Sequence, residues 1–391
     1  MGEGAVTDVG PVSPLYPTMV LIRGNMDMTL RQIDLHLLGL PLRVPYHLAF
    51  GNVTAFDTII VEMRDDQGQT GFGEATLLAA YGGETVEDAW VFCKARCDEL
   101  AGLTAEAGKK HLERWLHDFP FSVSALTAAI EMLEGNAILA PEQETRVPIL
   151  GAVATNDLSA IPGEVEKLLE NGYRTLKVKV GFGLEPDLKR VQVIQDAVAG
   201  RALLRLDGNQ GYSQQDACRF AAEVDPEGIE LLEQPCDADD WEAAEAVARV
   251  SRVPMMLDES IFGIDDIDRA ADLGIASFIK LKFLKMGGVD RLAAALRHIR
   301  ARGMEPVLGN GVASDIACWM EACVAVKTIR NAGEFNGFLR PVDCLLTKPL
   351  QVEDGAIVLW PGFVPTPDSG RIAAMSVASH RASSGLVRAT A

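Results

Sequence analysis

Seven short apolar runs recur through residues 148–311, and amphipathic stretches of helical period lie between them. The runs are PILGAVAT (148–155), TLKVKVG (175–181), ALLRLDGN (202–209), IELLEQP (229–235), PMMLDES (254–260), SFIKLKF (277–283) and EPVLGNG (305–311). Stretches such as PDLKRVQVIQDAVAG and VDRLAAALRHIRARG connect them. This alternation admits few folds, because parallel strands need long crossovers and the crossover helices cover the sheet. A parallel barrel and a doubly wound open sheet both satisfy it. Even spacing, with no glycine-rich phosphate loop after the first strand, favours the barrel. A weaker eighth strand is expected near GEFNGFLRP.

The flanking segments read differently. Residues 30–74 alternate as strands, with a turn at 65–68, and residues 85–139 carry apolar residues at helical spacing. Strands followed by helices predict a separate α+β domain over 28–147, ahead of a barrel over 148–350. Residues 1–27, rich in Gly and Pro, are expected to be a loosely held extension without the features of a signal peptide. Residues 351–391 are expected to return to the first domain and end in a flexible tail.

In a parallel barrel the active site forms at the C-terminal ends of the strands. Those ends here carry Lys177 and Lys179, then Asp207 and Asn209, Glu233, Asp258, and finally Lys280 and Lys282. From Lys179 through Asp207, Glu233 and Asp258 to Lys282 the steps are 28, 26, 25 and 24 residues, one strand–helix–strand unit each. Taken singly, LDGN is a turn, EQP ends a strand and DES caps a helix. Taken in register, five consecutive strands aim ionisable groups at one mouth. Three carboxylates from adjacent strands make an oxygen-rich set suited to a hard cation such as Mg²⁺. Lysines on either side of them suit an anionic substrate. Side chains two apart on a strand share a face, so Lys177 and Lys179 are neighbours, and their repulsion is expected to lower their pKa and free Lys179 as a base. Lys280 and Lys285 read as solvated or supporting groups.

A formal net charge of -19 opposes binding to nucleic acid or an anionic membrane. No run reaches the roughly 18 uninterrupted apolar residues of a membrane helix. The seven cysteines are scattered without a CxxC pair, which predicts reduced thiols in a cytoplasmic protein rather than disulfides or a zinc site.

The set KVKVG, RLDGNQGYS, LLEQP, LDES and LKFLKMGG, in this order and spacing, resembles the enolase superfamily, specifically its muconate lactonizing enzyme subgroup. The resemblance spans about residues 28–370. It implies an α+β capping domain over a modified (β/α)₇β barrel of TIM type. It implies Mg²⁺, for which Mn²⁺ can substitute, held by Asp207, Glu233 and Asp258. It further implies Lys179 and Lys282 as the acid/base pair, Lys177 as support for an enolate, and a homo-oligomer of unspecified size. The mandelate racemase branch, with a histidine near the end of the seventh strand, does not match LGNG there. In related members an Asn is common where Lys280 stands. Dipeptide epimerases carry Asp-x-Asp for the substrate ammonium where this chain has Glu334, Phe335 and Asn336.

Abstraction of a proton α to a carboxylate leads from here to an epimerase or racemase of a modified amino acid or dipeptide. Cycloisomerisation of the muconate type and dehydration remain open. A Schiff-base aldolase on the same barrel would need no carboxylate triad, and a non-enzymatic binding protein would not keep the set complete. Candidate substrate contacts are Asn209, Lys280, Asn310, Glu334 and Asn336, with Ser314 nearby. The segments 45–51 and 77–85 are expected to close over a small carboxylate substrate.

Overall fold

The computed structural model describes residues 28–48, 51–78, 83–309 and 311–384. The expected extension over 1–27, parts of the two covering loops (49–50 and 79–82) and Asn310 lie outside the described residues.

The chain begins as an antiparallel meander of β1 (Leu30–Leu48), β2 (Gly51–Asp65) and β3 (Thr70–Leu77). Helices α1 (Val86–Leu100), α2 (Ala105–Glu113) and α3 (Pro120–Leu133) follow. Thr85 and Thr104 start the first two by accepting the N–H groups of Asp88 and Ala107. Helix α3 is buried on nearly every side, because it lies between the meander and the barrel. Two glycines of TGFGEA make room for it. A Cβ at Gly71 or Gly73 would overlap the carbonyl oxygen of Ala129 or Ala125, so only glycine lets this helix rest on that strand.

From β4 (Thr145–Pro148) the chain enters a parallel sheet. Its strands, in chain order and side by side, are β5 (Gly151–Val153), β6 (Thr175–Lys179), β7 (Leu203–Asp207), β8 (Ile229–Glu233), β9 (Met255–Leu257), β10 (Phe278–Leu281) and β11 (Glu305–Leu308). The connecting helices are α4 (Ile161–Glu170), α5 (Leu184–Val198), α6 (Gln214–Glu223), α7 (Trp241–Val250), α8 (Ile264–Leu273) and α9 (Val289–Ala301). After β11 comes α10 (Asp315–Thr328).

Residues 333–334 close the sheet into a barrel without forming a regular strand. Leu150 N–H donates to Gly333 O at 3.0 Å on one side, and Glu334 N–H donates to Leu308 O at 2.9 Å on the other. The first apolar run is split: Pro148 ends β4, and the barrel strand itself is only Gly151–Val153.

The tail folds back. Strands β12 (Gln351–Glu353) and β13 (Ala356–Leu359) pair antiparallel with each other, and β13 pairs with β4. Helix α11 (Ser369–Met375) leads to β14 (Ser376–Ser383), which joins the meander alongside β1, with Leu35 opposite His380. Among the described residues no helix is long and apolar enough to cross a membrane.

Two buried carboxylates fasten the N-terminal unit to the barrel. Glu74 of β3 accepts from Ser314 N–H at 2.5 Å and Ala317 N–H at 2.9 Å, at the start of α10. Glu131 of α3 accepts from Val289 N–H at 2.6 Å and Asp290 N–H at 3.1 Å, at the start of α9. Each satisfies orphan N–H groups at a positive helix end.

Burial nonetheless pushes Glu131 up to about 7. A carboxyl raised in the folded state above its ordinary value favours folding below that value, and loses the contribution as pH rises through the folded one. Wild type is therefore expected to lose about 2–3 kcal/mol through this group between pH 4.5 and 7. Thermal melts should show Glu131→Gln gaining on wild type across that window and running parallel above it. A constant offset at all pH values would contradict the assignment.

Candidate active site

Strand alternation places the site. Along β6, Leu176 and Val178 pack outward against the helices, so Lys177 and Lys179 point into the barrel. The same rule turns Arg205 and Asp207 of β7, and Leu231 and Glu233 of β8, inward. Register sets their height: Lys179 pairs with Asp207, and Asp207 with Glu233. Asp258 follows β9, and Lys280 and Lys282 lie in and just after β10. All five strand ends thus meet at one mouth.

The side chains interleave by charge. Lys177 Nζ lies 2.7 Å from Asp207, 3.2 Å from Glu233 and 2.8 Å from Glu334. Lys280 Nζ is 2.8 Å from Glu233, 3.7 Å from Asp258, and also in contact with Glu334. Lys282 Nζ lies 2.9 Å from Asp258. Lys179 Nζ is 2.6 Å from Asp207 Oδ2 and donates to Asn209 Oδ1. The Lys179 side chain is 32% exposed, against 6% for Lys177 and Lys282 and 2% for Lys280, so Lys179 is the ammonium open to the mouth.

For Lys177 the expected lowering by its neighbouring lysine is corrected. Burial pulls Lys177 down, but Asp207, Glu233 and Glu334 outweigh it and hold the group well above its ordinary value. Lys280 and Lys282 are raised against burial in the same way, by Glu233 and Glu334 and by Asp258 and Glu259 respectively. Among the acids, burial opposes but does not prevent the lowering of Asp207 by Lys177 and Lys179, and of Asp258 by Lys282. Glu334 falls to about 2, its burial outweighed by Lys177 and Lys280. Burial and the Asp207 carboxylate push Glu233 up to about 7.

One other expectation is also corrected. Lys280 and Lys285 are buried rather than solvated. Lys285 donates to Ile261 O at 3.2 Å and sits 3.9 Å from the Phe262 ring centre, and burial beside Lys282 pushes it down to about 8. Ser314 is spent on Glu74. Asn336 donates to Leu150 O at 2.9 Å, at the closure of the barrel.

Two participants escaped the sequence reading. Glu259 accepts from Asn209 Nδ2 at 2.9 Å and is largely buried beside Asp258. Gln234 accepts from the Asp258 N–H at 3.0 Å and donates to Ser260 Oγ at 2.8 Å, fixing the Asp258 backbone. Their signal was adjacency, since each directly follows a singled-out carboxylate.

Asp207, Glu233 and Asp258 are the donors available to a hard cation. Asp258 Oδ1 is buried and makes no hydrogen bond, an incompleteness that a cation would relieve, whereas Glu233 Oε2 meets the Lys177 ammonium at 3.2 Å. Among the described residues no three carboxylate, histidine or cysteine groups stand close enough to hold a metal as they are placed. Ammonium groups lie between the carboxylates instead. The donors fit by type and strand position, and their ammonium partners would have to withdraw.

Residues 161–366, more than half of the chain, match the sequence profile of a family described as enolase C-terminal domain-like. An L-Ala-D/L-Glu epimerase of Clostridium acetobutylicum is 28% identical over 81% of this chain and 89% of its own. An N-succinyl-L-Arg/Lys racemase of Bacillus cereus is 25% identical over 80% and 88%. Among solved structures, a dipeptide epimerase from Cytophaga hutchinsonii, complexed with Mg and D-Ala-L-Val, superposes with a TM-score of 0.82 at 19% identity, over 90% of this chain and 100% of that one. A muconate lactonizing enzyme from Pseudomonas fluorescens, complexed with muconolactone, gives 0.81 at 25% identity, over 89% and 99%.

The Lys280–Glu334 contact makes a direct prediction. Removing Lys280 leaves Glu334 and Glu233 sharing Lys177 as their one remaining ammonium, a loss of up to about 3–5 kcal/mol by the measure of broken buried ion pairs. Urea unfolding should show such a loss for Lys280→Met. The double variant with Glu334→Gln should recover more than half of it. Additive losses would contradict the pairing.

Proposed function

The chain belongs to the enolase C-terminal domain-like family, and on that premise we propose that it is a divalent-metal-dependent epimerase or racemase of a modified amino acid or dipeptide. One observation carries the reading: Lys179 and Lys282 flank the strands bearing Asp207, Glu233 and Asp258 at a single mouth.

Asp207, Glu233 and Asp258 would hold Mg²⁺, consistent with their type and with the unpartnered Oδ1 of Asp258. When bound, the cation supplies Lewis-acid polarisation of the substrate carboxylate. The chain's own residues do the rest. Lys179, the most open of the four lysines, takes the α-proton from one face. Lys282 returns a proton on the other, and the product is the epimer. Lys177, buried and positively charged, faces the negative charge that builds on the carboxylate. Deprotonation of Lys282 requires relief from Asp258, which engagement of that carboxylate elsewhere would provide.

Glu334 refines the substrate. Its carboxylate already meets two ammonium groups, Lys177 and Lys280, so a third cation gains little there. That favours an acylated nitrogen over a free ammonium, and the N-succinyl racemase relative is consistent with it. The second reading is a muconate-type cycloisomerase, supported by the likeness to the muconate lactonizing enzyme. Dehydration of a β-substituted acid would use the same first step.

Proton exchange in D₂O with Mg²⁺, followed by NMR, tests the proposal. The panel is N-succinyl-L- and D-arginine, L-Ala-L-Glu and L-Ala-D-Glu, and cis,cis-muconate. Exchange and epimerisation of the N-succinyl pair, abolished by EDTA, are expected. Lys179→Ala should abolish exchange from one epimer and Lys282→Ala from the other. Lactone formation from muconate would select the second reading. No exchange from either epimer pair would overturn the first.

A further inference from the structure

We infer that Asp187, Arg190 and Tyr212 are positioning residues for Lys179, serving one face of the substrate and not the other; the face-selective part rests on the two-base reading above.

Lys179 is the last residue of β6, and the chain leaves it through a short loop into α5. Two α5 side chains turn back on that exit. Arg190 is 6% exposed and spends its whole fork on carbonyl groups. Nη1 donates to Lys179 O at 2.8 Å, Nε and Nη2 to Thr155 O at 3.2 and 2.9 Å, and Nη2 to Val153 O at 3.1 Å. It therefore ties the backbone of the base to the end of β5. Asp187 is 3% exposed. Its Oδ2 accepts the successive N–H groups of Gly181, Phe182 and Gly183 at 2.9, 2.9 and 3.1 Å.

The same oxygen accepts a fourth bond, from Tyr212 Oη at 2.6 Å. Tyr212 stands in the loop after β7, three residues beyond Asn209, whose side chain accepts from Lys179 Nζ. Asp187 thus joins the loop behind the base to the loop that holds its amine. The two loops also touch directly: Val180 N–H donates to Asp207 O at 2.8 Å, and a Cβ on Gly181 would lie 2.5 Å from Gly208 O. Both ends of Lys179 are fixed by one buried cluster.

Lys282 is supported from elsewhere. Phe283 N–H donates to Glu321 at 3.4 Å, Lys285 N–H to Lys282 O at 3.0 Å, and Gly287 N–H to Ser124 Oγ at 2.8 Å. None of these partners belongs to the first cluster. Loosening one cluster should therefore disturb one base.

A merely structural fastener would slow both faces alike, which gives the test its discrimination. Tyr212→Phe removes a single donor, and Arg190→Lys keeps the charge but loses the fork. Each is assayed as the Mg²⁺ holoenzyme in D₂O with the epimer pairs N-succinyl-L/D-arginine and L-Ala-L/D-Glu, beside Lys179→Ala and a thermal melt. Small misplacements of a reacting group are costly, so exchange from the epimer that depends on Lys179 should slow about tenfold. Interconversion should slow in both directions, while exchange from the other epimer changes less than about twofold. Equal slowing of both epimers, or no slowing in either variant, overturns the inference while leaving the two-base reading intact. If Lys179→Ala shows no preference between epimers, or wild type exchanges neither pair, both fall together.

Discussion

The mouth of the barrel is held by alternation of charge. Four ammonium groups and four carboxylates, Lys177, Lys179, Lys280 and Lys282 with Asp207, Glu233, Asp258 and Glu334, interleave where most are shielded from water. An isolated charge in such a place costs several kcal/mol, and the array is tolerable only because neighbours of opposite sign lie within hydrogen-bond reach. That requirement fixes the register, since a one-residue slip of β6 would turn both of its lysines into the apolar shell. It also couples the departures noted in the sequence. Lys280 adds a buried positive charge, and Glu334, from the segment that closes the barrel, is in contact with it.

A second use of buried carboxylates places the N-terminal unit. Glu74 and Glu131 leave that unit to cap the starts of α10 and α9, and Ser124 bridges Leu284 O and Gly287 N–H in the loop beyond Lys282. The N-terminal unit is thereby bonded to the loop that follows one of the proposed bases. The opposite base is held from within the barrel, through Arg190 and Asp187. The difference has a functional consequence, because the two faces of a substrate would be served by groups whose backbones are fastened separately, with Asn209 and Glu259 linking their side-chain surroundings.

Much of this was legible in the chain. Strand–helix alternation gives the parallel sheet, and equal spacing of ionisable residues at successive strand ends gives their convergence, because both are local periodicities. The weak eighth strand was readable as a position but not as a conformation; residues 333–334 close the barrel through irregular hydrogen bonds. The electrostatics of Lys177 were read in the wrong direction. A neighbouring lysine suggested a lowered pKa for Lys177, yet the carboxylates that outweigh it come from strands β7 and β8 and from residue 334, and sequence separation hides such contacts. Arg190 and Asp187 were unreadable for the same reason: on paper they belong to an ordinary amphipathic helix. Their role exists only once β5, β6 and the loop bearing Tyr212 lie against it.

The central claim is that Asp207, Glu233 and Asp258 form one cation site flanked by proton-transferring lysines. Titration with Mn²⁺ followed by electron paramagnetic resonance tests it without knowledge of the substrate. One site per chain is predicted, displaced by Mg²⁺ and weakened at least about a hundredfold by Asp207→Asn or Glu233→Gln, since each removes a charged donor. Wild-type affinity in both variants, or no bound Mn²⁺ at all, would contradict the account.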